Sequence, residues 1–344
     1  MPSKSCNAVL AKSRAMYGKC LKDSDYRQLV ECRSVPELAS YLKTRTCYAN
    51  VLTGMIESEI HRGQLEPLLR QDIYNDIFAL SRYSTDEAMA VADFVTAKLD
   101  IEQIVRCMMM LNLGRSEDFA LSVPLSLDSY TAVSFKKLAA VRSFDDLMNA
   151  LQHTGYDQVI QSFRPKEGEP LKIADIEIAL NNKNYSMAMD AIAKMKNKTE
   201  QKELRDLFYA VFDFENLERI LRLKKYHHFS AEIVRSMLIP FGRLSKKNMD
   251  DLCSAEDFND VYELARDTYL GNMLSKLQYY DKTQISYALI NVYCKHHLRL
   301  SPNPTIVMIS YIYLKQIEVR NIINLIEATR YGLSQEEKTK LPVR

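Results

Sequence analysis

The stretch Thr305 to Tyr331, TIVMISYIYLKQIEVRNIINLIEATRY, decides the fold. Asn303 precedes it as an N-cap whose side chain can accept first-turn amides. Pro304 takes the first helical position, where a missing N–H goes unnoticed, and Gly332 follows as a stop. Both ends of a helix are therefore marked, and at about 1.5 Å per residue it is roughly 40 Å long. Ile309, Ile312, Val319, Ile323 and Ile326 recur near helical spacing and predict one core face. From Ile306 to Leu314 the sequence is apolar nearly all round. That run falls far short of the roughly 20 residues a bilayer crossing needs, so this half is expected to be buried in protein.

The second half of this helix has two earlier counterparts: Lys98 to Ile104 (KLDIEQI) and Val211 to Leu217 (VFDFENL), beside Gln316 to Ile322 (QIEVRNI). In each an acid (Asp100, Asp213, Glu318) is followed three residues on by an amide (Gln103, Asn216, Asn321) and four on by an aliphatic (Ile104, Leu217, Ile322). A second block recurs between them, SVPEL at Ser34, SFDDL at Ser143 and SAEDF at Ser254. All three read as capping boxes, a serine for the N3 amide and an N3 acid that reaches back. Each opens an apolar-periodic stretch with a tyrosine further on, at Tyr48, Tyr156 and Tyr269. A period of about a third of the chain is too long for tetratricopeptide, ankyrin or HEAT units, which run about 33 to 47 residues. The expectation is three copies of a small helical domain, over 1–117, 118–238 and 239–344.

Composition agrees with an all-α class. Of 344 residues, 47% are hydrophobic and 26% charged, and nine glycines, ten prolines and no low-complexity run favour helices over strand-rich or disordered structure. A formal charge of +2 singles out neither nucleic acid nor membrane. Seven cysteines without a CxxC pair read as reduced thiols in a cytoplasmic setting. Residues 1–22 carry Lys4, Lys12, Arg14, Lys19 and Lys22 and no acid, and are read as a helix of the mature domain with a solvated basic face. The segment Asn181 to Ser186 (NNKNYS) reads as a turn between two helices, and Thr85-Asp86-Glu87 after Ser84 as a helix start.

Chemistry-bearing patterns are few. No GxxxxGK[ST] loop cradles a phosphate, and Gly114-Arg115-Ser116 is better read as a helix stop. Neither His227/His228 nor His296/His297 has a cysteine or acid at ligand spacing, and adjacent helical residues point about 100° apart. Glu57 and His61 read as an i,i+4 surface pair rather than an acid and its base. No GxSxG marks a nucleophile. No metal, cofactor or nucleotide site is expected, and ATP is expected neither to bind nor to be hydrolysed.

The runs Ser13 to Leu21 (SRAMYGKCL), Asp25 to Leu29 (DYRQL), Ser34 to Leu42 (SVPELASYL), His61 to Leu69 (HRGQLEPLL) and Lys315 to Ile322 (KQIEVRNI), in this order, resemble the C subunit of bacterial and archaeal V-type (A-type) ATPases, the counterpart of the eukaryotic d subunit. The resemblance spans the chain. It implies a noncatalytic rotor subunit at the cytoplasmic side of the membrane. Such a protein is a funnel of three similar helical domains between the proteolipid ring and the central shaft of the ATP-hydrolysing head, with no nucleic-acid or nucleotide partner. Partner contacts are expected at basic residues the core does not need: Lys12, Arg14, Lys19, Lys224, Lys225, Lys246 and Lys247. The rival reading is a helical adaptor unrelated to ion pumping.

Overall fold

The computed structural model describes residues 4–56, 60, 62–123, 125–166, 168–226, 229–277 and 285–343. Among these the regular structure is helical throughout and no strand occurs, so the class is all-α. The chain divides into two compact units. Unit 1 comprises Met1–Arg62, Ala79–Ser84 and Met195–Arg344; unit 2 comprises Gly63–Phe78 and Thr85–Lys194.

The helices in chain order begin with α1 (Lys4–Tyr17), α2 (Asp23–Glu31), α3 (Val35–Arg45), α4 (Arg62–Ser81), α5 (Asp86–Asn112) and α6 (Ser116–Ser122). The middle of the chain forms α7 (Phe135–Ala139), α8 (Phe144–Ala150), α9 (Tyr156–Gln161), α10 (Ile173–Ala193), α11 (Lys198–Tyr226) and α12 (Ala231–Ser236). The last are α13 (Lys246–Ser254), α14 (Phe258–Arg266), α15 (Tyr269–Leu274), α16 (Ile285–Leu300), α17 (Pro304–Arg330) and α18 (Gln335–Thr339).

In unit 2, α5 packs along α10. Thr85, not Ser84, caps α5, its hydroxyl accepting from the Ala88 amide. On α10, Ile176, Leu180, Asn184, Ala188 and Ile192 are buried at four-residue spacing, one stripe of a single helix. This corrects the expected turn at Asn181 to Ser186, through which α10 continues. Tertiary contacts override the polar local sequence: Asn184 donates to the Phe94 carbonyl on α5 at 3.1 Å, and the Tyr185 ring lies 5.8 Å from that of Phe94. Gly114, at φ 65°, stops α5, with the Arg115 amide returning to the Met110 carbonyl at 2.8 Å.

In unit 1, α17 is the axis, and α1, α3, α11, α16 and α18 pack around it. Its ends match the sequence reading: the Asn303 side chain accepts from the Thr305 and Ile306 amides, and Gly332 adopts φ 70°. Its burial goes beyond that reading. Apart from Pro304, Gln316, Arg320, Asn324, Glu327 and Arg330, every residue of α17 is buried, including Lys315, Glu318 and Asn321. A charged residue in a helix normally marks its wet side, so periodicity predicted one core face. Here the charges have internal partners.

Ser34 and Ser143 cap α3 and α8 as the sequence suggests, and Ser334 caps α18. The third repeat block is shifted. Ser254 is the last residue of α13, and Asp257 caps α14 by accepting from the Asn259 and Asp260 amides at 2.7 and 3.0 Å. The carboxylate stands nearer those amides, and as an anion it is favoured at a helix N-terminus.

Candidate functional site

The repeated acids are buried, and in two of the three copies the repeated tyrosine donates to the acid. In the α11 copy, Asp213 Oδ2 accepts from the amides of Arg243 and Leu244 at 2.7 and 3.0 Å and from the Tyr269 hydroxyl at 2.7 Å. The carboxylate lies against Gly242, where a Cβ would sit 2.1 Å from Asp213 Oδ1, so only glycine fits there. Burial and the Asp213 charge push the Tyr269 hydroxyl far up, which keeps it a donor, while burial raises Asp213 itself against the pull of Tyr269 and the two amides.

The α17 copy has the same parts from distant segments. Glu318 Oε1 accepts from the Tyr48 hydroxyl at 2.7 Å and from Lys315 Nζ at 3.1 Å, and Oε2 accepts from the Leu21 amide at 2.6 Å. Lys315 Nζ also lies 4.1 Å over the Tyr48 ring and 3.7 Å from Cys47 Sγ. Burial and the Glu318 charge hold the Tyr48 hydroxyl well above its ordinary value.

The α5 copy is the least satisfied. Asp100 Oδ2 accepts from the Ala132 amide at 3.3 Å, and buried Oδ1 has no hydrogen-bond partner among the described residues. Tyr156 and Tyr74 stand close enough that the Asp100 charge adds to burial in raising both hydroxyls. Burial pushes Asp100 up to about 7, with the Ala132 amide pulling the other way.

Two of the three amides also recur in role, as clamps on loop backbone. Asn216 donates to the Ile239 carbonyl at 3.1 Å and accepts from its amide at 2.8 Å; Asn321 does the same to Val343 at 2.8 and 3.0 Å. Both amides pin a loop segment to their helix, and Asn321 also ties α17 to the neighbouring α2 by donating to the Tyr26 hydroxyl at 3.3 Å. Gln103 is buried with Oε1 lacking a partner among the described residues, so the longer amide makes no such clamp. Replacing Asn321 by leucine is expected to lower stability by about 1–3 kcal/mol, since both Val343 polar groups lose their partner. Thermal unfolding of the variant checks this, and a stable variant that fails only in assembly would reverse the assignment.

Sequence reasoning did not join tyrosines to acids. A signal was present: Tyr156 lies as far beyond Asp100 as Tyr269 beyond Asp213, each by 56 residues. For Glu318 the tyrosine comes from the other end of the chain, 270 residues away, and no linear spacing reveals it.

The basic candidates fall into two groups. Arg14 is engaged within the fold: Nε donates to the Leu298 carbonyl at 2.9 Å, and one terminal nitrogen to those of Arg299 and Ser301 at 3.2 and 2.9 Å, which caps the end of α16. Lys12 is half-buried with Nζ 5.3 Å over the Tyr83 ring, and Lys19 is exposed. Lys225, Lys246 and Lys247 are exposed and Lys224 half-buried, at the end of α11 and the start of α13.

Among the described residues, no catalytic constellation gathers around these groups. The described residues hold no cluster of three or more histidine, cysteine, aspartate or glutamate side chains that could hold a metal ion. His297 packs edge-on against Tyr293 at 4.6 Å, and burial lowers its pKa. Glu57, His61, His227 and His228 lie outside the described residues. A surface cleft of about 470 Å³ in unit 2 is lined by Leu111, Gly114, Arg115, Ser116, Glu117, Asp118 and Arg142, where Arg115 is already paired with Asp118. No described helix is long and apolar enough to cross a membrane.

The acid–tyrosine geometry is thus an internal fastening system rather than a reaction centre, and comparison with known proteins gives it a setting. The family described as ATP synthase (C/AC39) subunit matches residues 9–340. The chain is 25% identical over 341 residues to the C subunit of the A-type ATP synthase from Methanocaldococcus jannaschii, covering 96% of this chain and 84% of that one. Likeness to the proteins of the same name from Pyrococcus abyssi (20% identical; 95% and 87% covered) and Methanosarcina mazei (22% identical; 95% and 90% covered) is similar in extent. Matched over nearly its whole length, the chain belongs to the ATP synthase (C/AC39) subunit family and is a structural, noncatalytic subunit of such a complex.

Proposed function

We propose that this protein is a central-stalk rotor component. In this reading it couples the rotating shaft of the ATP-hydrolysing head to the membrane proteolipid ring, at the cytoplasmic face, for proton or sodium transport. The observation that carries this is the threefold recurrence of a buried acid fastened to a tyrosine or to loop backbone. Torque passes only through a body whose helices do not slide, and buried, hydrogen-bonded polar nodes fix helix position more sharply than apolar contacts alone.

The three sequence copies, 1–117, 118–238 and 239–344, are read as one module used three times. On those limits, the acids of the second and third copies take a hydrogen bond from the tyrosine of the next, Asp213 from Tyr269 and Glu318 from Tyr48 of the first, while Asp100 acts on Tyr156 of the second copy through its charge. A cyclic exchange of this kind supports the pseudo-threefold funnel that the family resemblance implies.

Contacts with shaft and ring are assigned to exposed and half-buried cations that the core does not need. Lys12, Lys19, Lys224, Lys225, Lys246 and Lys247 are the candidates, and Arg14 serves by holding α1 to the end of α16. Reconstitution with the proteolipid ring and the shaft at rising salt tests the reading. Wild-type chain is expected to bridge the two and to loosen as salt shortens the reach of exposed charge from about 8 Å at physiological strength to about 3 Å at 1 M. A chain that binds neither ring nor shaft overturns the rotor role.

A further inference from the structure

Positive charge is concentrated at one place in unit 1. Between residues 219 and 247 there are eight arginines and lysines against a single acid, Glu232, a net of +7 in a chain whose total is +2, so the remainder carries −5. Four of the eight are engaged. Arg219 donates to the Met237 carbonyl, Arg235 stands 3.7 Å from Asp250, the Arg243 guanidinium lies 4.5 Å over the Tyr269 ring, and Lys225 Nζ lies 5.1 Å over the ring of its exposed neighbour Tyr226. Arg222 and Lys224 stand beside Lys225 at the end of α11, and Lys246 and Lys247 at the start of α13.

These segments meet in space. α12 packs on α13, and both Lys224 and Arg235 act electrostatically on the Cys253 thiol of α13. Lys246 and Lys247 occupy the first turn of α13, which contains no acid. Cations there oppose the helix dipole, so helix stability does not account for them. Apolar side chains stand out among the charges: Tyr226 is 61%, Ile233 44% and Phe229 36% exposed.

We propose that this corner, formed by the end of α11, α12 and the start of α13, docks on an anionic phospholipid surface. Cations answer headgroup phosphates while Tyr226, Phe229 and Ile233 enter the interfacial layer, a combination that soft, fluid lipid accepts without a matching shape. An acidic protein face would match the lysines but would leave the three apolar tips in water unless it also supplied a pocket. The proposal goes beyond the coupling role and is tested on the isolated full-length chain, so either can fail without the other.

The chain has no tryptophan, so Phe229→Trp places a single reporter at the corner. With mixed phosphatidylglycerol–phosphatidylcholine vesicles its emission is expected to shift to the blue and the chain to co-sediment. Pure phosphatidylcholine should do neither, and salt of about 1 M should release the chain. Replacing Lys224 and Lys225 by alanine is expected to weaken vesicle binding about 30-fold. The exposed pair Lys136→Ala/Lys137→Ala, in unit 2, should leave it unchanged. Absence of binding to anionic vesicles at low salt by a chain that circular dichroism shows folded overturns the proposal. So does equal weakening by the unit 2 pair, and so does binding of polyglutamate without binding of vesicles, which would assign the corner to an acidic protein.

Discussion

Replacing Glu318 by leucine is expected to lower the stability of the chain by about 3–5 kcal/mol, the range for removing one partner of a buried ion pair. The Glu318 and Lys315 side chains are only 6% and 2% exposed and stand 3.1 Å apart. Leucine has nothing to offer the Leu21 amide or the Tyr48 hydroxyl, both of which now donate to Glu318. The dominant loss is the carboxylate that offsets a buried ammonium. Adding Lys315→Met to the variant should therefore recover part of the stability, because a desolvated charge is removed along with its need for a counter-ion. Urea unfolding of wild type, both single variants and the double variant gives the coupling directly. A Glu318→Leu chain within about 1 kcal/mol of wild type, or a double variant no better than the sum of the singles, would show that the pair is not the fastening described.

The second large effect is one of pH, and its sign is opposite to that of an ordinary paired carboxylate. Burial raises Asp100 from the usual 3.8 to about 7 in the folded chain, so between those values the folded state holds a proton that the unfolded state has lost. Stability from this group is greatest at low pH, declines as pH rises above about 4, and is fully forfeited above about 7. The difference corresponds to about 4 kcal/mol. Asparagine cannot ionise, so Asp100→Asn is expected to be more stable than wild type at pH 8 and to lose that advantage towards pH 5. Melting temperatures of the two proteins across that range check it. A parallel pair of curves would mean that Asp100 titrates as a solvated acid.

What the sequence disclosed and what it hid follow from how local each cause is. The caps of α17 were legible because Asn303, Pro304 and Gly332 act within one turn of themselves. The recurrence of acid and amide was legible as a pattern, yet its burial was not, since Asp, Glu and Lys normally mark the wet face of a helix. Asp213 and Glu318 escape that rule through donors tens to hundreds of residues away, and Lys315 through Glu318, itself buried one turn on. Asn181 to Ser186 misled for the same reason: its polarity is local, while Phe94, which holds it helical, is on another element. Of the basic candidates, Arg14 was chosen for being unneeded by the core, and only the structure places three carbonyls of the α16 end against it.

The 270-residue separation of Tyr48 from Glu318 also sets a schedule for synthesis. At about 5–20 residues per second a ribosome delivers Tyr269 roughly 3–11 s after Asp213, but Glu318 only some 14–54 s after Tyr48. Helices α1 to α3 are thus made first and fastened last. During translation they stand beside the ribosome with a tyrosine that has no acid to meet and a Leu21 amide that has no acceptor. A chaperone that shelters this protein as it is made would find its longest-lived target in the first fifty residues, and a pause anywhere between the Tyr48 and Glu318 codons, inside unit 2 or just before α17, would lengthen that exposure by its full duration.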